Sequence, residues 1–175
     1  NYYDYAESIV LSRNGKLRDS LIILNNLINY YPNNYFLLET KADLLTAHGY
    51  TNEAKEFYKI VLDKHQNNQH IKKRIFDVEF DQIDFQNYKE IEVFFNKFRY
   101  LIMPYKNNNL LLAKFKKITH KIEKYFWEEF IDALMMLNSN KNDGALEKFK
   151  YILANSKNDE LLNLTKKQII FIAYE

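Results

Sequence analysis

Residues 4–71 decide the fold, because they divide without a gap into two stretches of equal length. The first is DYAESIVLSRNGKLRDSLIILNNLINYYPNNYFL (4–37), and the second is LETKADLLTAHGYTNEAKEFYKIVLDKHQNNQHI (38–71). A fixed period of this length, about 34 residues, is typical of proteins built from stacked helical repeats. Three columns match in residue type: Ser8 with Ala42, Gly15 with Gly49, and Ser20 with Ala54.

Each matched column has a structural reason. Small residues on two successive helices let those helices approach closely. Glycine fits the left-handed position that follows the last turn of a helix. The leucines and isoleucine at positions 17, 21, 24 and 28 follow helical spacing, and Pro32 ends the second helix. We therefore predict two helix–turn–helix units over residues 4–71.

A third unit is predicted over residues 126–158. The spacing from Ala133 to Ala145 equals that of the small residues in the first two units, and Asn140–Asp143 provide a turn between them. Residues 159–175 then predict a helix that caps the last unit, with Leu161–Ala173 as its body. Solenoids need such caps to cover their terminal apolar faces.

The middle of the chain, residues 72–125, fits the repeat poorly. Apolar residues at helical spacing predict a helix from Tyr88 to Ile102, which Pro104 ends. Between 106 and 137 no residue forces a break, so one long helix and two shorter helices both stay open. We interpret this region as divergent helical pairs within one domain, residues 1–175.

Composition supports this fold class and excludes others. The chain has 175 residues, no cysteine, 3 glycines and 2 prolines. Without cysteine, disulfide scaffolds, thiolate zinc sites and cysteine nucleophiles are excluded. The formal net charge of +2 argues against nucleic acid as the main partner. We predict an all-α fold, an α-solenoid of antiparallel helix pairs.

The repeat resembles the tetratricopeptide repeat, a helix–turn–helix of about 34 residues. Residues 5–68 also resemble the tetratricopeptide domain of periplasmic zinc metalloproteases of the outer-membrane quality-control type. The shared features are Tyr5-Ala6, Gly15-Lys16, Pro32–Phe36, Glu39 with Lys41, and Gly49 followed by Glu53-Ala54.

This resemblance implies a protein-binding scaffold, with a role in bacterial envelope assembly. The alternative that it implies is a substrate-holding or regulatory domain of a larger zinc metalloprotease. The HExxH motif of the catalytic domain is absent from the sequence, so no catalytic residue is carried over. Because the chain begins at Asn1, we expect it to be trimmed and to lack its targeting region. The periplasm and the cytoplasm of a bacterium stay open.

Partner-binding residues are expected on the first helix of each pair, which lines the concave face of such a solenoid. The repeat phase places Tyr5, Ile9, Arg13, Glu39, Asp43 and Thr46 there. A groove that is both aromatic and acidic favours a protein or peptide partner with apolar anchors and some positive charge. The partner's identity and the oligomeric state are left open by the sequence.

A basic face supports a further alternative. Lys114, Lys117, Lys121 and Lys124 share one side of a helix, opposite an apolar side. Such a face docks nucleic acid or anionic lipid in some proteins, but it is also the ordinary solvated side of an amphipathic helix. We favour the second interpretation, because acidic residues balance the charge elsewhere in the chain.

Catalytic and metal-binding patterns are missing from the sequence. His65 and His70 are five residues apart, which is not the spacing of two zinc ligands on one helical face. The chain has no GxSxG elbow and no glycine-rich phosphate loop. We therefore expect neither enzymatic activity nor a metal or other cofactor.

Overall fold

The computed structural model describes residues 2–174 and confirms the predicted all-α fold. These residues form α-helices, one short 3-10 helix at Arg99–Leu101 and no strand. The helices pack in adjacent pairs, as in an α-solenoid. Their bounds are α1 Tyr2–Arg13, α2 Leu17–Tyr30, α3 Tyr35–Ala47, α4 Thr51–Lys64, α5 Gln69–Phe80, α6 Tyr88–Phe98, α7 Asn109–Lys121, α8 Tyr125–Leu137, α9 Asn142–Asn155 and α10 Asp159–Ala173.

The chain divides into two compact units between Gln82 and Ile83. The first unit contains α1 to α5, and the second contains α6 to α10. The segment 72–125, which we predicted as one divergent stretch of a single domain, is shared between the two. Its first part belongs to α5, which packs against α4, and its later part contains α6, the 3-10 helix and α7.

Two helical hairpins of the first unit, α1–α2 and α3–α4, use the same turn. Gly15 and Gly49 have left-handed φ angles of 77° and 84°. The backbone N–H of the residue after each glycine donates to a carbonyl in the last turn of the preceding helix. These bonds are Lys16 N to Leu11 O and Tyr50 N to Leu45 O, both 2.9 Å. This arrangement satisfies carbonyls at the helix end and reverses the chain.

The second unit repeats this turn without glycine. Asn140 (φ 57°) follows α8 and Glu123 (φ 53°) follows α7. The returning hydrogen bonds, Lys141 N to Met136 O and Lys124 N to Thr119 O, are again 2.9 Å. Residues 106–137 therefore contain two helices and not one. The sequence left this open because glutamate rarely adopts a left-handed conformation.

Each of three packed helix pairs buries one small residue on each of its two helices. Ser8 and Ser20 lie in α1 and α2, and the second pair, Ala42 and Ala54, lies in α3 and α4. In the second unit the pair is Ala133 and Ala145, in α8 and α9. All six side chains are fully buried. The helix α10 packs against α9, in the position predicted for the capping helix.

The first unit departs from the repeat at α5. Phe76 occupies the column of Ser8 and Ala42, and its ring is fully buried. It stacks on Phe80 of the same helix with 5.8 Å between ring centroids. A phenylalanine ring is much larger than the serine and alanine side chains that fill this column in α1 and α3. The column of small residues therefore does not continue into α5.

Apolar side chains form a buried cluster in each unit. The first has an aliphatic cluster of Leu24, Leu27 and Leu37, on which Tyr5 and Leu44 pack. The second is linked by aromatic contacts between its helices. The ring-centroid distances are 6.5 Å for Phe95–Phe115, 5.5 Å for Phe95–Trp127 and 5.6 Å for Phe130–Phe149.

Asparagine supplies the N-caps of four helices. The side-chain oxygens of Asn68, Asn87, Asn108 and Asn158 each accept a bond from the backbone N–H three residues on, at 2.9–3.3 Å. These bonds begin α5, α6, α7 and α10. Within residues 2–174, no helix is both long enough and apolar enough to cross a membrane.

The turns yield a pair of opposite predictions. Replacing Glu123 with glycine removes the left-handed strain of a side chain, so the free energy of unfolding should rise by about 1 kcal/mol. Gly49→Ala should lower it by about 1–2 kcal/mol. Apart from Gly49 and its two chain neighbours, no atom lies within 4 Å of the added Cβ, so this second cost is conformational. Urea unfolding followed by circular dichroism measures both changes, and shifts of the same sign would contradict this account of the turns.

Candidate functional site

An open groove of about 820 Å³ runs between α1 and α3 in the first unit. The rings of Tyr5 and Phe36 meet near the first turns of the two helices, 5.5 Å apart. Near their last turns, Ser12 Oγ lies 2.9 Å from His48 Nε2. Since like ends meet, α1 and α3 are parallel. The groove is lined by Tyr2, Tyr5, Ala6, Ile9, Val10, Ser12, Arg13, Phe36, Glu39, Thr40, Asp43, Leu44, Ala47 and His48.

The structure brings five of the six residues predicted to bind a partner into this groove. Three of them, Tyr5, Ile9 and Arg13, come from α1, and Glu39 and Asp43 come from α3. The register of the repeat aligns α1 and α3, the first helices of the two hairpins in residues 4–71. This alignment explains why positions chosen by repeat phase lie side by side in space. Whether the groove binds a partner stays a prediction.

Thr46, the sixth predicted residue, does not line the groove. Its Oγ1 donates to the Ala42 carbonyl at 2.9 Å and lies 3.4 Å from the hydroxyl of Tyr58, on α4. The side chain therefore faces the hairpin partner of α3. The repeat phase predicted that Thr46 faces the concave side, but the next residue, Ala47, lines the groove instead.

Side chains of α4 and α5 donate hydrogen bonds to Asp43. The Tyr58 hydroxyl donates to its Oδ1 at 2.5 Å, and Arg74 Nη2 of α5 donates to its Oδ2 at 3.2 Å. Burial raises the pKa of the Tyr58 phenol well above its usual range, and the hydrogen bond to Asp43 raises this pKa further. The phenol therefore stays protonated and donates to the carboxylate.

Glu39, the other acidic residue of the groove, also has a partner on α5. His70 Nε2 lies 3.1 Å from Glu39 Oε1. His70 and Arg74 were not among the predicted site residues, although the sequence contains a signal for them. The two acids are four residues apart on α3, and His70 and Arg74 are four apart on α5, so both pairs match on one helical face.

Arg13, unlike the two acids, has no ion-pair partner among residues 2–174. It lies in the last turn of α1, and its side chain is exposed. A cation at the C-terminal end of a helix is favoured by the helix dipole, so Arg13 needs no acidic neighbour to be stable there.

The predicted basic face lies on and just beyond α7, and Lys117 and Lys124 have partners in the second unit. Lys117 Nζ lies 4.0 Å above the ring of Phe85, and Lys124 Nζ lies 3.1 Å from Glu92 Oε1. Lys121 is exposed, and Lys114 is half-buried. The face is thus partly neutralised by its own unit.

The histidines are spread over separate environments. His65 packs edge-on against the ring of Tyr35 at 5.1 Å, and His120 Nδ1 lies 3.4 Å from Glu128 Oε2. Among residues 2–174, no group of three or more histidine, aspartate or glutamate side chains is placed to hold a metal ion.

Comparison with protein-family models, with curated proteins and with solved structures found no match to the chain. The resemblance to the tetratricopeptide repeat therefore rests on the matched columns of residues 4–71.

Substitution of Tyr58 tests the bond to Asp43. Tyr58→Phe should lower the free energy of unfolding at pH 7 by about 1.5–3 kcal/mol, because it removes a buried hydrogen bond to a charged group. Tyr30→Phe is the matched control, since Tyr30 is 79% exposed and should change little.

The pH dependence has a defined sign. The raised pKa of Tyr58 contributes stability below the usual tyrosine pKa of about 10. This stability is lost as the pH rises towards the folded-state pKa, because only the unfolded chain then releases the proton. The difference between the native chain and Tyr58→Phe should therefore shrink above about pH 10. A difference that grows with pH in urea unfolding would contradict this assignment.

Proposed function

We propose that the chain is a non-enzymatic binding scaffold of the tetratricopeptide type. Its α1–α3 groove holds a segment of a protein or peptide partner. The observation that carries this proposal is the exposed apolar lining of the groove. Tyr2, Val10 and Phe36 all line it and are 82%, 55% and 57% exposed.

Exposure of several apolar side chains in one concave surface favours occupation by an apolar partner group. Burial of such surface is worth roughly 25 cal/mol per Å². Isolated exposed apolar residues are ordinary, but a set that lines one groove is typical of an interaction site. Parallel neighbouring helices with side chains directed into the space between them also suit a segment lying along that space.

The polar residues of the groove support binding over catalysis. Ser12 and His48 are within hydrogen-bonding distance, which is the first requirement of a serine nucleophile with its base. However, Ser12 is only 3% exposed, so its hydroxyl is not accessible to a substrate. Its contact with His48 instead ties α1 to α3.

The proposed context is bacterial envelope assembly, as implied by the resemblance of residues 5–68. A substrate-holding domain of a larger zinc metalloprotease would use the same groove, so it is the second proposal. The docking of nucleic acid or anionic lipid on the lysine face is disfavoured, because Lys117 and Lys124 are engaged by Phe85 and Glu92.

Two exposed aliphatic residues of one hairpin give a matched test of the groove. Val10 lines it, whereas Ile22 on α2 is exposed to the same degree outside it. Random 12-residue peptides displayed on phage would be selected on the native chain. The strongest binders would then be synthesised and titrated by fluorescence polarisation.

We expect Val10→Lys to weaken these peptides by about tenfold, which corresponds to about 1.4 kcal/mol. Ile22→Lys should leave the dissociation constant unchanged, and both variants should keep the melting temperature of the native chain. Selected peptides that bind all three proteins equally, or a selection that yields no binder, would contradict the proposal.

A further inference from the structure

We infer that the partner segment is acidic, with a carboxylate that pairs with Arg13 and an apolar anchor that packs on Tyr2, Tyr5 and Phe36. This inference rests on the proposed function of the groove and adds the chemistry of its occupant. It also reverses the sequence-based expectation of a positively charged partner.

The two groove acids are already engaged within the first unit. Asp43 accepts bonds from Arg74 Nη2 and from the Tyr58 hydroxyl. Glu39 lies 3.1 Å from His70 Nε2. A basic partner group would have to compete with these three side chains of the first unit. Two of them, His70 and Arg74, lie on α5. Both acids therefore already have partners, and the guanidinium of Arg74 offsets the charge of Asp43.

Arg13 is the cation that lines the groove. Its guanidinium is exposed and has no ion-pair partner among residues 2–174. A guanidinium has five donors in a planar fork that matches a carboxylate. The groove therefore offers an unpaired cation to a partner, and charge complementarity favours an acidic residue there.

The distance from Tyr2 and Tyr5 to Arg13 sets the spacing between the apolar anchor and the carboxylate of the partner. Tyr2 and Tyr5 lie about two to three helical turns before Arg13 on α1. At 1.5 Å per helical residue this separation is about 12–16 Å. An extended peptide covers that distance in about four or five residues, at roughly 3.3 Å per residue. The inferred segment thus carries an aromatic or large aliphatic residue about four or five positions from an aspartate or glutamate.

Arg13 and Arg18 form a matched pair for the test. Arg18 is also exposed, lies five residues further along the same hairpin and does not line the groove. The probes are the phage-selected 12-residue peptides whose binding is weakened by Val10→Lys. Each would be titrated against the native chain, Arg13→Glu and Arg18→Glu by fluorescence polarisation in low salt.

We expect these peptides to contain an acidic residue at the stated spacing and to lose about tenfold in affinity with Arg13→Glu, but not with Arg18→Glu. Replacing the acidic residue of the peptide with lysine should weaken binding to the native chain and restore it to Arg13→Glu. A variant that had only lost its structure would not recover binding in this exchange.

Other outcomes separate the inference from the function on which it rests. Peptides that depend on Val10 but bind Arg13→Glu and Arg18→Glu equally would overturn the acidic assignment and leave the groove as the binding site. Basic peptides that lose affinity with Glu39→Gln would also overturn the acidic assignment and leave the groove as the binding site. If no selected peptide depends on Val10, the proposed function fails, and the inference fails with it.

Discussion

The close approach of two helices at a pair of small buried residues is the constraint on which the structure depends. Within each repeat-type hairpin the two residues are twelve positions apart, and a left-handed turn lies seven positions after the first. In the first unit, this repeated geometry makes α1 and α3 equivalent helices of successive hairpins. Their parallel alignment, which the Tyr5–Phe36 and Ser12–His48 contacts demonstrate, creates the groove.

The chemistry of the groove depends on a helix that does not line it. Arg74 and His70 lie on α5, where Arg74 pairs with Asp43 and His70 Nε2 lies 3.1 Å from Glu39 Oε1. Tyr58 of α4 adds a hydrogen bond from the hairpin partner. Residues that look acidic when α1 and α3 are considered alone are thus part of a network that stabilises the packing of α3, α4 and α5. The unpaired charge then lies on Arg13, at the end of α1.

The sequence predicted most of the features that the repeat determines. It predicted the all-α fold, the turns at Gly15 and Gly49, and five residues that line one groove. It left the break between α7 and α8 open, because Glu123 adopts by tertiary context a conformation that usually marks glycine. It also misplaced Thr46 and missed the partners of Asp43 and Glu39, because contacts between neighbouring helices depend on helix rotation. The period of the repeat does not specify that rotation to within one position.

The most direct test of the central constraint is the free energy of unfolding of Ala54→Leu. Ala54 is fully buried on α4, which packs against α3, so the added carbons should force the helices apart and lower this free energy by about 1–3 kcal/mol. Ala113→Leu is the matched control, because Ala113 is exposed on α7 and the two residue types have similar helix propensity. Urea unfolding followed by circular dichroism should show the loss for Ala54→Leu and almost none for Ala113→Leu. Equal values for the two variants would contradict the claim that close packing at the small-residue pairs sets the fold.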